Sequence, residues 1–294
     1  MNTLWQEIKF KMLHSGSRVS LLIGINVAIF LIINIGGVLE WLFTGHDIRN
    51  TFLHYYSEEY LLLPASLPKL ATRFWTPLTY MFMHDGFFHI LFNMLWLYWM
   101  GQIFEEYLGT KRTIGLYLFG GLTGALFFIL AYNFLPAFTN SNAAAGVVVL
   151  GASASVMAII VATATLLPDY TIYMMIIGPV KLKWLAIFYV VLDFILVAGV
   201  NGGGEITHLG GALFGFIYIK QVQRGNDLIS GIVDLFKPRS KLKVASKNPD
   251  KNSNALPRQE EIDRILDKIS QSGYESLNKQ EKEILFRASK NNEG

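Results

Sequence analysis

The sequence predicts an all-α polytopic membrane protein, a bundle of six transmembrane helices followed by a small helical cytoplasmic unit at the C-terminus. Three observations carry this. Of 294 residues, 52% are hydrophobic and only 16% are charged, whereas a soluble domain carries about 25% charged residues. From Thr113 to Pro168 there is no Asp, Glu, Lys or Arg at all, a stretch too long for one span. From Lys237 to Gly294, in contrast, charge is dense and hydrophobicity ordinary. The expected division is an N-terminal cytoplasmic segment over 1–18, a six-helix membrane domain over 19–224, an interfacial segment and linker over 225–256, and a small helical cytoplasmic unit over 257–294.

A spanning helix needs about 20 predominantly apolar residues. The first span is Val19 to Leu39 and the second Phe87 to Ile103. The charge-free stretch breaks at Asn133 to Asn142, around Pro136, giving a third span from Thr113 to Tyr132 and a fourth from Ser153 to Leu167. The fifth runs from Trp184 to Val200, interrupted by Asp193, and the sixth from Ile206 to Ile219. Spans four and six are short, about 20 to 25 Å at 1.5 Å per residue. If both end at the cytoplasmic face, they leave a water-filled depression on the other side.

Basic residues set the orientation. Lys9, Lys11 and Arg18 precede span one; Lys111 and Arg112 separate spans two and three; Lys181 and Lys183 separate four and five; Lys220 and Arg224 follow six. Both termini are therefore expected in the cytoplasm. The first apolar run has no small-residue cleavage site after it and reads as a span, not a removable signal. The long first loop, Glu40 to Arg73, carries aromatics suited to the headgroup level, and reads equally as an ordinary extracellular loop.

Beyond span six, Leu228, Ile229, Ile232, Val233 and Phe236 fit a short interfacial helix. Lys237 to Pro257 reads as a flexible linker. Ile262, Ile265, Leu266 and Ile269 then repeat on one helix face. Gly273 ends that helix, and Asn278 with Glu281 forms a capping-box start for a second. Two short helices bury little, which implies a partner for this unit, of unknown identity.

The chain has no cysteine, which excludes disulfides, thiolate metal sites and a cysteine nucleophile. The net charge of +3 sits beside the spans and in the tail, so no nucleic-acid partner is expected. Membrane lipids are the expected surroundings.

Polar residues inside spans point to function, because burying them in lipid is costly. Ser153 lies in Gly151-Ala152-Ser153-Ala154, at a helix N-terminus where free N–H groups favour a developing negative charge. Ser155, about 200° further round the helix by its 3.6-residue turn, is the local rival. His208 can serve as general base for a serine. Gly211 and Gly215 lie on the same face as His208, and Ala154, Ala158 and Ala162 form a matching small stripe on span four, so the two backbones can approach closely and bring Ser153 beside His208. His89 and Asn93, at i and i+4, offer two donors on one face for an oxyanion hole. The three signatures open three segments that run in the same direction. His84, one turn before the span, could support the site, but reads more readily as a surface histidine. No carboxylate is placed to orient His208 in this reading: Asp193 falls near the middle of an oppositely directed span, and Glu205 reads as solvated. The expected machinery is a Ser–His dyad without a third acid, with no cofactor and no metal.

Together these motifs resemble the rhomboid family of intramembrane serine proteases. Gly86-Phe-Phe-His-Ile-Leu-Phe-Asn-Met94 looks like the rhomboid second helix, Gly-Ala-Ser-Ala fits its Gly-x-Ser-x signature, and Thr-His-Leu-Gly-Gly-Ala-Leu-Phe-Gly is similar to its Ala-His-x-x-Gly-x-x-x-Gly. Glu106 also matches a structural feature after that helix. The match covers roughly Arg73 to Ile219. Thr207 replaces an alanine, Ala154 a glycine, and Met157 stands where many bacterial rhomboids carry an aromatic residue. The resemblance implies a rhomboid-like six-helix bundle, a Ser153–His208 catalytic dyad, an oxyanion hole from His89, Asn93 and the Ser153 N–H, and transmembrane proteins as substrates. The expected localisation is a multi-pass integral protein of a bacterial cell (inner) membrane. The alternative is a catalytically inactive rhomboid-like protein that binds or retains transmembrane clients. A small-solute transporter would show internal repeats and paired broken helices, which the sequence lacks.

Overall fold

The structure, a computed structural model, describes residues 17–45, 47–139, 146–174, 177–231 and 259–290. They fall into two compact units, within Met1–Lys237 and Pro238–Gly294. The expected N-terminal segment with Lys9 and Lys11, Ile232, Val233 and Phe236 of the interfacial helix, and the linker from Lys237 to Pro257 lie outside the described residues.

The first unit is built on α1 (Arg18–Thr44), α2 (Phe52–Tyr60), α3 (Phe87–Leu108), α4 (Thr110–Phe134), α5 (Ser153–Leu166), α6 (Leu182–Leu196) and α7 (Gly202–Gln223). Helices α1, α3 and α4 are long and apolar enough to cross a bilayer; α5 is apolar but has only 14 residues. The ends are set by local chemistry. The Ser17 hydroxyl accepts from the Ser20 N–H at 3.3 Å, and Gly45 closes α1 at φ 68°. Gly109, at φ 79°, turns the chain between α3 and α4 in a region costly for residues with a side chain. The Glu105 carboxylate on α3 accepts from the backbone N–H of Arg18 at 2.8 Å and of Val19 at 3.0 Å, satisfying orphan donors of α1 from outside the helix. Glu105 therefore has the structural role that the sequence reading gave to Glu106, which is exposed; adjacent residues point about 100° apart on a helix, and only one can face α1.

Helices α4, α5 and α7 form the packed centre. Glycine makes it possible. A Cβ on Gly120 would lie 2.3 Å from the Ala158 Cβ, and one on Gly124 would lie 2.7 Å from both the Ala154 Cβ and the Thr207 carbonyl oxygen. On α7, a Cβ on Gly211 would lie 2.1 Å from the Ala154 carbonyl oxygen, and one on Gly215 2.2 Å from that of Ala158. Both helices advance four residues in the same sense between these contacts, so α5 and α7 run parallel, in the small-residue register expected from the sequence. Around this centre the outer faces remain apolar and exposed. On α6, Trp184, Ile187, Phe188, Val191, Phe194 and Ile195 point outward, and Leu182, Leu185, Ala186 and Asp193 inward.

Helices α1 and α3 run on to Thr44 and Leu108, past the expected Leu39 and Ile103, and two further differences bear on the site. α7 starts at Gly202, four residues before Ile206, and its 22 residues make it about 33 Å long, so it is not a short helix. α6 stops at Leu196, not Val200, although Val197 and Val200 prolong the apolar run. The chain turns there: the Gly199 N–H donates to the Leu196 carbonyl at 2.7 Å, and a Cβ on Gly202 would lie 2.2 Å from the Val197 carbonyl oxygen.

The first loop folds over the bundle. Strand β1 (Leu63–Pro64) pairs antiparallel with β2 (Val148–Val149), matching Leu63 with Val149. The Ala65 N–H donates to the Val147 carbonyl at 3.0 Å. Between α5 and α6, β3 (Thr171–Met174) pairs antiparallel with β4 (Gly178–Lys181). At the far end of α7, Asp227 accepts from the Arg112 Nε at 2.7 Å and from the Tyr218 hydroxyl at 3.1 Å.

In the second unit, α8 (Gln259–Ser272) ends before Gly273 at φ 76°, and α9 (Lys279–Lys290) follows. The Glu281 N–H donates to Asn278 Oδ1 at 2.9 Å while the Asn278 N–H donates to Glu281 Oε2 at 2.8 Å, a reciprocal capping box.

Candidate active site

Ser153 is the first residue of α5. The segment leading to it is fixed from two sides: β2 is tied to the first loop, and the Gly151 N–H donates to the Tyr80 carbonyl at 3.0 Å. The Tyr80 hydroxyl in turn donates to the Gly121 carbonyl at 2.6 Å, buried in α4. Gly151 has φ 121°, which an L side chain rarely adopts. It is also the point where two candidate groups meet: a Cβ there would lie 2.8 Å from His89 Nε2 and 3.4 Å from Ser153 Oγ. The candidate nucleophile and the candidate oxyanion donor His89 are thus brought together around one glycine. Ser153 Oγ makes no hydrogen bond with any described residue and Ser153 is half-buried. Ser155 is fully buried on another face, its Oγ 3.9 Å from the Met81 sulfur.

His89 Nδ1 lies 2.7 Å from Asp85 Oδ1. One turn further along α3, the Asn93 amide donates to the His89 carbonyl at 3.0 Å, leaving its second N–H. The reading of His84 as a surface residue is corrected: it is 8% exposed, and its ring centroid stands 5.0 Å from that of His89, edge to face. Its two ring nitrogens find no hydrogen-bond partner among the described residues. His84 is in the turn before α3, and its ring contact with His89 goes with a burial that residue type alone would not have given.

His208 stands two turns into α7. The offset shared by the Gly211–Ala154 and Gly215–Ala158 contacts carries back along both helices to bring the His208 level close to the start of α5. Gly124 makes the same point from a third helix, since Ala154 and Thr207, the neighbours of Ser153 and His208, both rest against it.

The placement of the two acids is also corrected. His208 Nδ1 lies 3.1 Å from Asp193 Oδ1 and 3.4 Å from Glu205 Oε2. Asp193 is 6% exposed and Glu205 9%, so Glu205 is not solvated. The reason is the early end of α6. Asp193 lies in its last turn, level with the first turns of α7, and not mid-span. The Asn201 amide donates to Glu205 Oε1 at 3.3 Å, and Gly204 leaves the room that the Asn201 side chain fills. The three donor atoms of Asp193, Glu205 and His208 come within 4.8 Å of one another, the one such grouping of histidine and acidic side chains among the described residues.

Residues 71–224 match the Rhomboid domain. The chain belongs to the rhomboid family. It is 30% identical over 162 residues to RHOMBOID-like protein 12, mitochondrial, of Arabidopsis thaliana, covering 52% of this chain and 48% of that protein. The chain thus spans about half the length of the curated relative it matches. Rhomboid membership and the apolar helices make this an integral membrane protein. The relative's name places that protein in mitochondria and lends no support to the expected bacterial inner membrane. Residues 250–291 match a family of unknown function, DUF6576. In this rhomboid, the site groups come from α3, the start of α5, the last turn of α6 and the first turns of α7.

Proposed function

We propose that this rhomboid is an intramembrane serine endopeptidase that hydrolyses peptide bonds in or near transmembrane segments of membrane proteins. The observation that carries the proposal is the convergence at Gly151 and Gly211: the half-buried hydroxyl of Ser153 and the ring of His89 meet at the first, and the second presses the helix bearing His208 against Ala154, next to the serine. In this reading Ser153 Oγ attacks the scissile carbonyl carbon while His208 Nε2 takes its proton. The Ser153 N–H, His89 and Asn93 hold the oxyanion. The tetrahedral adduct collapses, the C–N bond breaks, and the amine leaves with the proton from His208. Water then adds to the acyl-enzyme with His208 as base again, releasing the acid and restoring Ser153. No metal or cofactor takes part. The proposed topology keeps six crossings with both termini cytoplasmic, which places the site towards the opposite face, and the unit over 257–294 on the cytoplasmic side with a partner of its own.

The test uses purified full-length protein in lipid vesicles with a generic transmembrane reporter, comparing wild type with Ser153→Ala. Cleavage by wild type alone supports the proposal. A protein that holds the reporter uncut, equally with serine or alanine at 153, would be a client-binding rhomboid without activity.

A further inference from the structure

The geometry points to a third functional group: we propose that Asp193, backed by Glu205, is a positioning residue that holds the His208 imidazole in its Nδ1–H form, so that the site works as acid–histidine–serine and not as a two-residue dyad. This rests on the protease reading of Ser153 and His208.

The argument starts with burial. An ionisable side chain deep in an apolar bundle is costly unless a partner compensates. Asp193 is the one polar residue among the buried residues of α6, and its Oδ1 meets His208 Nδ1 at 3.1 Å. Its other oxygen, Oδ2, is buried with no hydrogen-bond partner among the described residues. A neutral amide would bridge α6 and α7 at less cost, so simple helix glue does not account for a carboxyl group here. The chemistry does. A carboxylate accepting from Nδ1–H leaves the proton-free lone pair on Nε2, the nitrogen that must take the serine proton. Once that proton is taken, the imidazolium sits beside a negative charge in surroundings that screen it little.

The local chain is built to hold this contact. Gly199 and Gly202 make the turn that brings the end of α6 alongside the start of α7. Asn201, accommodated by Gly204, anchors Glu205, whose Oε2 stands 3.4 Å from the same Nδ1 as a second acceptor. Helix α5, which carries Ser153, contributes no ionisable side chain. The charge facing His208 from these elements is therefore that of Asp193 and Glu205.

The test is Asp193→Asn in full-length protein in vesicles, with two readouts. Asparagine keeps size and hydrogen bonding but loses the charge and can donate to Nδ1, favouring the wrong tautomer. The expected result is a fall in kcat of about 100-fold or more with KM changed less than about threefold, at an unchanged melting temperature. Independently of cleavage, histidine ¹⁵N spectra of the wild type, assigned against His208→Gln, should show Nδ1 of His208 protonated and Nε2 free at neutral pH. That second measurement decides the matter even if the variant does not fold. Wild-type His208 with an unprotonated Nδ1, or an Asp193→Asn enzyme with wild-type kcat and pH profile, overturns the proposal. A wild type that cleaves nothing and takes no fluorophosphonate on Ser153 overturns the protease reading instead, and the spectra still judge the Asp193 contact.

Discussion

Replacing Gly211 with alanine sets a methyl group 2.1 Å from the Ala154 carbonyl oxygen, on the helix that begins with Ser153. Ordinary contact begins at 3.4 Å, so relief requires a displacement of about 1.3 Å. The obstacle is backbone, not the end of a flexible side chain, and α4 closes the other side, where Gly210 and Gly124 already touch. Helix α7 therefore moves away from α5 and carries His208 from Ser153 by about an ångström. A misplacement of that size costs about 100-fold in rate, while overpacking destabilises by about 1–3 kcal/mol. The assay is the initial rate of reporter cleavage in vesicles at saturating substrate, with melting temperature measured in parallel. Gly231→Ala, where a Cβ meets nothing within 4 Å, serves as control. Cleavage by Gly211→Ala within twofold of wild type, at an unchanged melting temperature, would refute the close-packed α5–α7 contact as the device that aligns the site.

Ser153→Ala and His208→Ala should each lower cleavage by several orders of magnitude, since members of one catalytic unit fail together; Ser155→Ala should remain active, and the reverse pattern in a cleavage assay would move the nucleophile to Ser155. Glu105→Ala strips the acceptor from the first N–H groups of α1 and should lower stability by about 1 kcal/mol, read as a drop in melting temperature. Burial would raise the Asp227 carboxyl, but the Ser230 hydroxyl and the Arg112 guanidinium outweigh it and hold it down to about 2. A depressed value contributes stability above the unfolded value of about 3.9 and loses it as pH falls through the folded one; melts of wild type and Asp227→Asn should therefore differ at pH 7 and converge towards pH 2. Truncation after Lys237 should leave reporter cleavage intact in detergent, and a folded but inactive truncated protein would make the C-terminal unit part of the machinery.

The helices and the α5–α7 contact were legible because both are written locally. Apolar length marks a helix, and alanine and glycine at four-residue spacing mark where two can touch. The capping box at Asn278 and Glu281 was legible for the same reason. Asp193 was misjudged because Val197 and Val200 prolong the apolar run past the true end of α6, which moved the aspartate to mid-span. The signal was present in Gly199 and the run Gly202–Gly204, which interrupt the apolar run between the turn and the start of α7, and in the helical spacing of Asp193 from Leu182, Leu185 and Ala186 on the inward face. Glu105 and Glu106 could not be told apart without knowing which side of α3 meets α1. The burial of His84 depends on how a short turn packs, which no periodicity encodes.

The ladder between Leu63 and Val149 also makes the two ends of a long stretch of chain depend on each other. It joins residues that α3 and α4 separate in sequence. Pairings of such long range raise contact order, which slows folding overall. The backbone ahead of Gly151 and Ser153 is therefore held in part by the first loop, so a lesion near Leu63 can reach that segment without touching it.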